Sequence, residues 1–363
     1  MRVLLACGGT GGHIFPAFSV AEEIRRRRPD ARIVYVCGTR DIESEIFALV
    51  KGERVERIES APFRGRRSLW SARFLLKLLA GFRQARAILR RERPDVVVGF
   101  GGHYSFPIVA AARLAGVPTL IHEQNVVPGV ANKFLMRWVD GAALSFEETR
   151  PRLPKHRNMR VTGNPIRASI ERDCREEALR SFGFSPDRLT LLVLGGSQGA
   201  ESINTLFLGA LPFLSRGLKD RLQVLHLCGR MEPAEVQAAA RDEGVNLRAF
   251  SFFDRMDLAY GAADLAVGRA GATFLAEITA KHLPAILIPY PFAGAHQLEN
   301  ARAFGRTGDA TILEQGGLKP ERLAERIEEK AGRLRPLRGS GPSAAPPSAR
   351  VKLADFIEEM ARH

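Results

Sequence analysis

Leu191-Leu192-Val193-Leu194-Gly195-Gly196-Ser197-Gln198-Gly199-Ala200 decides the fold. Four apolar residues in unbroken succession mark a strand buried on both faces of a parallel sheet, and the glycines force a tight turn into a helix. Free amides at such a helix start attract phosphate. About half a chain earlier, Val3-Leu4-Leu5-Ala6-Cys7 runs into Gly8-Gly9-Thr10-Gly11-Gly12-His13 and repeats the design. The sequence therefore predicts two similar α/β halves facing one another.

Neither turn is an established nucleotide signature. The first places Ile14 where the dinucleotide fingerprint G-x-G-x-x-G needs its last glycine, and nothing matches the Walker pattern. The second fits G-x-S-x-G, the nucleophile elbow of a serine hydrolase. Asp264 and His296 follow Ser197 in the chain order such a triad needs. A hydrolase is therefore a reading to be tested.

With 363 residues the chain is long for one core and comfortable for two domains. Its 45% hydrophobic and 26% charged residues are those of an ordinary globular protein. A formal net charge of +14 points to an anionic partner: nucleic acid, an anionic membrane surface or a phosphorylated substrate. Cys7, Cys37, Cys174 and Cys228 are scattered without a C-x-x-C pair, so reduced thiols in a cytoplasmic protein and no zinc site are expected. The apolar run after Arg2 is too short for a signal-peptide core. No window approaches the ~20 apolar residues of a spanning helix, so neither export nor a membrane span is expected.

In chain order, Pro16 to Arg28 reads as a helix with Pro16 in its first turn, and Ile33 to Cys37 as the next strand. From Arg64 to Arg93 the only acidic residue is Glu92, among ten arginines and lysines. Trp70, Phe74, Leu75, Leu79 and Phe82 lie in this stretch with further leucines, an apolar set too wide for one core-facing stripe. Such a helix is either an interfacial membrane anchor or a core helix with solvated arginines. Nucleic-acid binding is disfavoured, because no helix-turn-helix, zinc-finger or RNP-like pattern accompanies the charge. Asp95 to Gly99 is a further buried strand ending in Gly99-Phe100-Gly101-Gly102-His103-Tyr104-Ser105, and strand ends of doubly wound sheets bind ligands. Thr119-Leu120-Ile121 then leads into His122-Glu123-Gln124-Asn125. Four adjacent polar side chains at a strand end are expensive to bury unpaired and together suggest a site.

Gly163-Asn164-Pro165-Ile166-Arg167 breaks the pattern and a new βα alternation follows. The expected division is residues 1–162 and 163–340, with 341–363 a linker and a closing amphipathic helix available to pack back on the first domain. Strands are expected at Thr190–Leu194, Leu222–Cys228, Leu247–Phe250, Asp264–Val267 and Ala285–Pro289. The stretch from Arg335 to Arg350 is expected to be a mobile connection.

Seven motifs in register, GGTGGH at Gly8–His13, GGHYS at Gly101–Ser105, HEQN at His122–Asn125, GNPIR at Gly163–Arg167, GGSQGA at Gly195–Ala200, the turn at Gly268–Glu277 and HQxxNA at His296–Ala301, cover nearly the whole chain. In this order they resemble the MurG family of glycosyltransferase family 28. The resemblance implies a GT-B fold, two Rossmann-like doubly wound domains facing across a cleft. It also implies a peripheral enzyme on the inner face of the cell membrane that moves N-acetylglucosamine from UDP-GlcNAc to undecaprenyl-pyrophosphoryl-MurNAc-pentapeptide (lipid I), in contact with the anionic lipid surface and with other cell-wall synthesis proteins. By resemblance Arg167 and Ser197 contact the nucleotide. Ala272, Thr273, Phe274, Leu275, Ala276 and Glu277 line diphosphate and ribose, with Glu277 on the ribose hydroxyls. The main chain at Phe253 meets uracil and Gln297 meets the sugar, while Thr10, Gly11, Gly12 and Asn125 hold donor sugar or acceptor.

Inverting transfer needs a base on the acceptor hydroxyl and a device that stabilises charge on departing UDP. No D-x-D pair is present to hold a divalent cation, so no metal or other cofactor is expected. His13 is the expected base, with Glu123 as fallback. The resemblance also gives weight to the membrane-anchor reading of the basic helix. A non-catalytic membrane-surface scaffold and a hydrolase using Ser197 are the rival readings.

Overall fold

The computed structural model describes residues 1–9, 11–39, 41–48, 52–62, 72–196, 201–291, 296–334 and 348–362. Thr10, Trp70, Ser197 and most of the expected connection at 335–350 lie outside the described residues. The chain divides into two compact units, Met1–Arg167 with Pro346–His363, and Ala168–Ala345. The division thus falls after Arg167, whereas the glycine and proline signals place it after Thr162. The C-terminal segment is counted with the first unit.

In the first unit seven strands form one parallel sheet in the order β3-β2-β1-β4-β5-β6-β7. They are β1 (Arg2–Ala6), β2 (Arg32–Cys37), β3 (Arg54–Arg57), β4 (Val96–Gly99), β5 (Thr119–Glu123), β6 (Gly141–Leu144) and β7 (Met159–Val161). In the second unit β8 (Leu189–Leu194), β9 (Leu222–Leu227), β10 (Asn246–Phe250), β11 (Leu265–Gly268), β12 (Ala285–Leu287) and β13 (Ala310–Ile312) form a second parallel sheet, ordered β10-β9-β8-β11-β12-β13. The continuous apolar runs explain the arrangement, since β1 beyond Arg2 and all of β8 are buried. β13 carries no such signal, because its three residues are only half buried.

The helices of the first unit are α1 (Gly11–Arg27), α2 (Asp41–Ala48), α3 (Ala72–Glu92), α4 (Gly102–Leu114) and α5 (Val130–Leu135). Those of the second are α6 (Ala168–Glu171), α7 (Arg175–Phe182), α8 (Glu201–Ala210), α9 (Arg216–Arg221), α10 (Pro233–Asp242), α11 (Met256–Ala262), α12 (Ala272–Ala280), α13 (His296–Phe304) and α14 (Pro320–Arg333). The closing helix α15 (Ala349–Met360) returns to the first unit. There Leu353, Phe356 and Ile357 join the core beneath α1, and Arg27 pairs with Asp355 at 2.5 Å. The opposite face of the first sheet is covered by α3, α4 and α5 through Ala85, Ile88, Ile108, Ala112 and Leu135. All four cysteines are buried and unpaired.

Strand order reverses between β1 and β4 in the first sheet and between β8 and β11 in the second. Ligands of doubly wound sheets bind outside the carboxyl ends of the strands at such switch points. Gly8 and Gly9 follow β1 and Gly101 and Gly102 follow β4; Gly195 and Gly196 follow β8 and Arg269 to Gly271 follow β11. The glycine-rich segments thus sit at the two places where this topology opens a crevice.

Three local expectations are corrected. α1 starts at Gly11, so Pro16 lies inside it and His13 belongs to its first turn. β5 runs through His122 and Glu123, which pair with β6 rather than following the strand. Phe74 is buried, and Phe82 is half buried against the core, so neither belongs to an exposed apolar surface. Leu75 and Leu79 are exposed as expected, together with Leu76.

Candidate active site

The first switch point is built around His13. Its Nδ1 lies 3.1 Å from the carbonyl oxygen of Gly8. A carbonyl only accepts, so Nδ1 carries the proton and Nε2 keeps a free lone pair. Burial lowers the imidazole below its ordinary pKa, against the opposing hydrogen bond to Gly8. The residue as a whole is half buried. A neutral imidazole with a fixed tautomer is what a general base requires at neutral pH.

The residues preceding His13 are held from α2. Gly9, at φ +94°, donates its N–H to Glu43 Oε1 at 2.5 Å. A Cβ on Gly8 would meet Tyr104 Cδ2 at 2.8 Å and Glu43 Oε1 at 2.9 Å, so only glycine lets the chain pass beneath α4. Ser105 donates to the carbonyls of Ala6 and Gly101 and ties the ends of β1 and β4 together. Gly11 and Gly12 form the first residues of α1.

The HEQN residues divide into three roles. His122 Nε2 donates to the carbonyl of Gly163 at 3.0 Å, and its Nδ1 accepts from Gln124 Nε2 at 3.0 Å. Burial, with a smaller contribution from neighbouring His13, pushes its pKa down to about 4, so it is neutral. Glu123 is buried and accepts from Asn125 N at 3.0 Å, Asn125 Nδ2 at 3.4 Å, Gly129 N at 2.9 Å and Asn132 Nδ2 at 2.8 Å. Burial raises its pKa against these hydrogen bonds. Both carboxylate oxygens thus order the loop into α5. Asn125 is anchored to the same carboxylate, and its carbonyl accepts from Thr149 Oγ1. Arg167, grouped with the first unit, lays its guanidinium over the ring of Phe15, 5.2 Å from the centroid.

The second switch point contains a residue that the motif reading passed over. Arg269, in the turn after β11, is buried and donates to the carbonyl of Ile288 at 3.0 Å and to Ser202 Oγ at 2.8 Å. Its guanidinium lies 5.3 Å from the centre of the Tyr290 ring. Among the described residues no carboxylate pairs with it, and burial lowers its pKa. A buried, unneutralised cation at a strand end is costly unless an anion arrives. Its sequence signal was available as the single charge in Gly268-Arg269-Ala270-Gly271-Ala272.

Beside it α12 begins after Gly271 with no acidic residue in its first turn and no side-chain cap at Gly271, so its dipole favours an anion there. Asn300 Nδ2 donates to the carbonyl of Ala270 at 3.3 Å and holds this turn from α13. Ala272, Phe274 and Leu275 point into the core, so their side chains are unavailable to a ligand; Thr273 and Ala276 are half buried. Glu277 is buried on the same helix and accepts from Tyr260 Oη at 2.7 Å. Gln297 Oε1 accepts from Tyr290 N at 2.9 Å. The Phe253 ring packs 5.1 Å from Phe250 and 5.4 Å from Phe182, turning its side chain inward.

The hydrolase reading fails on geometry. Asp264 accepts from Thr190 N at 2.8 Å and pairs with Arg175 at 2.9 Å, at the amino ends of β8 and β11. The G-x-S-x-G motif begins after Leu194, at the carboxyl end of β8. Thr190 and Leu194 are four residue steps apart along the strand, about 13 Å of extended chain. Asp264 is structural.

The two doubly wound units, each with glycine-rich segments at its switch point, are those of a GT-B glycosyltransferase. Residues 3–144 match the glycosyltransferase family 28 N-terminal domain and residues 190–337 the glycosyltransferase family 28 C-terminal domain. The chain belongs to glycosyltransferase family 28. Among its relatives is the UDP-N-acetylglucosamine–N-acetylmuramyl-(pentapeptide) pyrophosphoryl-undecaprenol N-acetylglucosamine transferase of Halothermothrix orenii, 39% identical over 100% of both chains. The enzyme of that name from Citrifermentans bemidjiense is 40% identical over 91% of this chain and 90% of its own. The crystal structure of Acinetobacter baumannii MurG superposes with a TM-score of 0.73 at 27% identity, over 99% of each chain.

Proposed function

We propose that the chain is an inverting glycosyltransferase that moves N-acetylglucosamine from UDP-GlcNAc to the C4 hydroxyl of MurNAc in lipid I, making lipid II for peptidoglycan synthesis. The observation that carries the mechanism is the His13–Gly8 hydrogen bond, which leaves Nε2 unprotonated. The acceptor hydroxyl gives its proton to Nε2 as its oxygen attacks C1 of the donor sugar. The C1–O bond to UDP breaks on the opposite face, and the electron pair leaves with the diphosphate. Charge growing there is met by Arg269 and by the amides at the start of α12. Glu277, oriented by Tyr260, takes the ribose hydroxyls, Phe253 offers its main chain to uracil, and Gln297 meets the sugar. Ser197 and Thr10 complete the donor and acceptor contacts in this reading, and Arg167 reaches the nucleotide.

No metal or other cofactor takes part in this scheme. Transfer of labelled N-acetylglucosamine to a short-chain lipid I analogue should therefore proceed undiminished in EDTA. Loss of product in EDTA would refute the metal-free mechanism. Binding of UDP-GlcNAc without product would refute the acceptor.

The acceptor is a lipid, and the first unit carries a surface suited to meeting it from the cytoplasmic side. On α3, Leu75, Leu76 and Leu79 are exposed, with Arg83, Arg86 and Arg90 exposed further along the helix. Val130, Phe134 and Trp138 form a second exposed apolar stripe on and just after α5, interleaved with exposed Lys133 and Arg137. α3 and α5 cover the same face of the first sheet. Apolar side chains set among cations are the chemistry of interfacial docking on anionic lipid. Among the described residues no helix is long and apolar enough to cross a membrane. Changing Leu75, Leu76 and Leu79 together to serine removes roughly 1 kcal/mol each of apolar burial, so partitioning onto anionic vesicles should fall about a hundredfold. Activity on a water-soluble acceptor analogue should be unaltered. Unchanged vesicle binding would remove these leucines from the docking surface.

A further inference from the structure

Gln124 carries a buried acceptor that no described group satisfies. Its Nε2 donates to the carbonyl of Phe100 at 2.9 Å and to His122 Nδ1 at 3.0 Å, with a longer contact to the carbonyl of His122 at 3.3 Å. Both nearer partners are acceptors, since His122 carries its proton on Nε2 for Gly163. The amide cannot be reversed, because a carbonyl in that position would face two lone pairs. Oε1 is therefore fixed on the opposite side, buried and without a hydrogen-bond partner among the described residues.

The direction in which Oε1 points is given by Gly101. A Cβ built on that glycine would lie 3.5 Å from Gln124 Oε1, 3.4 Å from His13 Nε2 and 3.3 Å from His13 Cδ2. Oε1 and Nε2 thus border the same small space beside Gly101, whose φ of +85° keeps a side chain out of it. In the resting state both atoms present lone pairs, and no hydrogen bond joins them.

We propose that Gln124 is a positioning residue for the reaction: its Oε1 receives the Nε2–H of His13 once the imidazole has taken the proton of the acceptor hydroxyl. This rests on His13 being the base. The proton moves from the acceptor oxygen to Nε2, no other bond is made or broken at this end, and the new N–H turns toward the carbonyl across the space beside Gly101. A buried imidazolium is otherwise penalised by desolvation, and a fixed carbonyl dipole offsets that penalty without reorganising. The chain Gly163 O, His122, Gln124, His13 gives the HEQN segment a part in catalysis that does not involve Glu123. Titratable groups on the elements around His13 include Glu43 of α2, His103 and Tyr104 of α4, and His122 and Glu123 of β5. Of these, Glu43 is bonded to Gly9, His122 is neutral, and Glu123 is occupied by its loop.

The test is Gln124→Met in the full chain, which keeps length and removes the acceptor. His13 is titrated by NMR of ¹⁵N-labelled histidine, its signal identified by its loss in His13→Ala. The protonation constant of His13 should fall about tenfold, one pKa unit. The turnover number should fall roughly 10- to 100-fold with KM for the acceptor within about twofold of the parent. Gln124→Asn keeps an amide but withdraws the carbonyl by one methylene, and should give the same split; it carries the test if the methionine variant fails to fold. An unchanged His13 titration, or a loss confined to KM, overturns the proposal. Full activity in His13→Ala would instead overturn the underlying assignment of the base, so the two failures are distinguishable.

Discussion

Replacing His13 with alanine should lower the turnover number for transfer by roughly 10²- to 10⁴-fold, the range removed with a positioned general base. UDP-GlcNAc affinity should change little, because the groups assigned to the nucleotide's diphosphate and ribose lie in the second unit. The pH dependence has a defined sign. The imidazole must be neutral to accept a proton, and burial holds its pKa below the ordinary value of 6.5. The turnover number of the parent enzyme should therefore be flat at neutral pH and decline only as pH falls through the lowered value. In His13→Ala this acid limb should vanish from the residual rate. Rate profiles between about pH 5 and 8, the range in which an imidazole titrates, check the claim. A residual rate that keeps the acid limb would transfer the base role to another group.

Much of this site was legible because glycine-rich segments and buried strands are local signals. The continuous runs at Val3–Cys7 and Leu191–Leu194 identify central parallel strands, and the adjacent glycines mark the crevices without knowledge of strand order. His13 reads from sequence as part of the turn before a helix starting at Pro16, whereas the helix begins at Gly11 and takes it into its first turn. What was not legible depends on which side chain faces which neighbour. Glu123 reads as a catalytic carboxylate in sequence, yet Gly129 and Asn132, six and nine residues later, fold back to occupy it. Phe74 shares its helix with exposed Leu75 and Leu76, and a helix of mixed apolar residues does not announce which rows the sheet will cover. The second apolar stripe at Val130, Phe134 and Trp138 was missed for a related reason. α5 is short, and its i, i+4, i+8 row becomes visible only when Ala131, Leu135 and Met136 are seen inside. The weak strand β13 escaped because three half-buried residues make no run.

Arg269 offers the sharpest separation of catalysis from stability. Changing it to methionine removes a buried positive charge and keeps most of the side-chain length. If the guanidinium serves the departing diphosphate, the turnover number should fall about 10²- to 10³-fold, the effect of deleting one preorganised donor at a developing charge. Inhibition by UDP should weaken in parallel. Stability should behave differently, because no carboxylate among the described residues depends on this cation. Two neutral partners, the Ile288 carbonyl and Ser202 Oγ, lose a hydrogen bond, costing about 1 kcal/mol each. Relief of the desolvated charge works in the opposite direction, since burying an unpaired ion is itself unfavourable. The net change in unfolding free energy should lie within about 1 kcal/mol of zero, readable from urea midpoints. Arg269→Lys keeps the charge but cannot span Ile288 and Ser202 as a planar fork does, so it should recover only part of the rate. A large fall in stability with activity lost in proportion would make Arg269 a structural brace between β12 and α8. A stable but inactive methionine variant would mean that the fold tolerates an unpaired buried cation because the leaving group supplies its counter-charge.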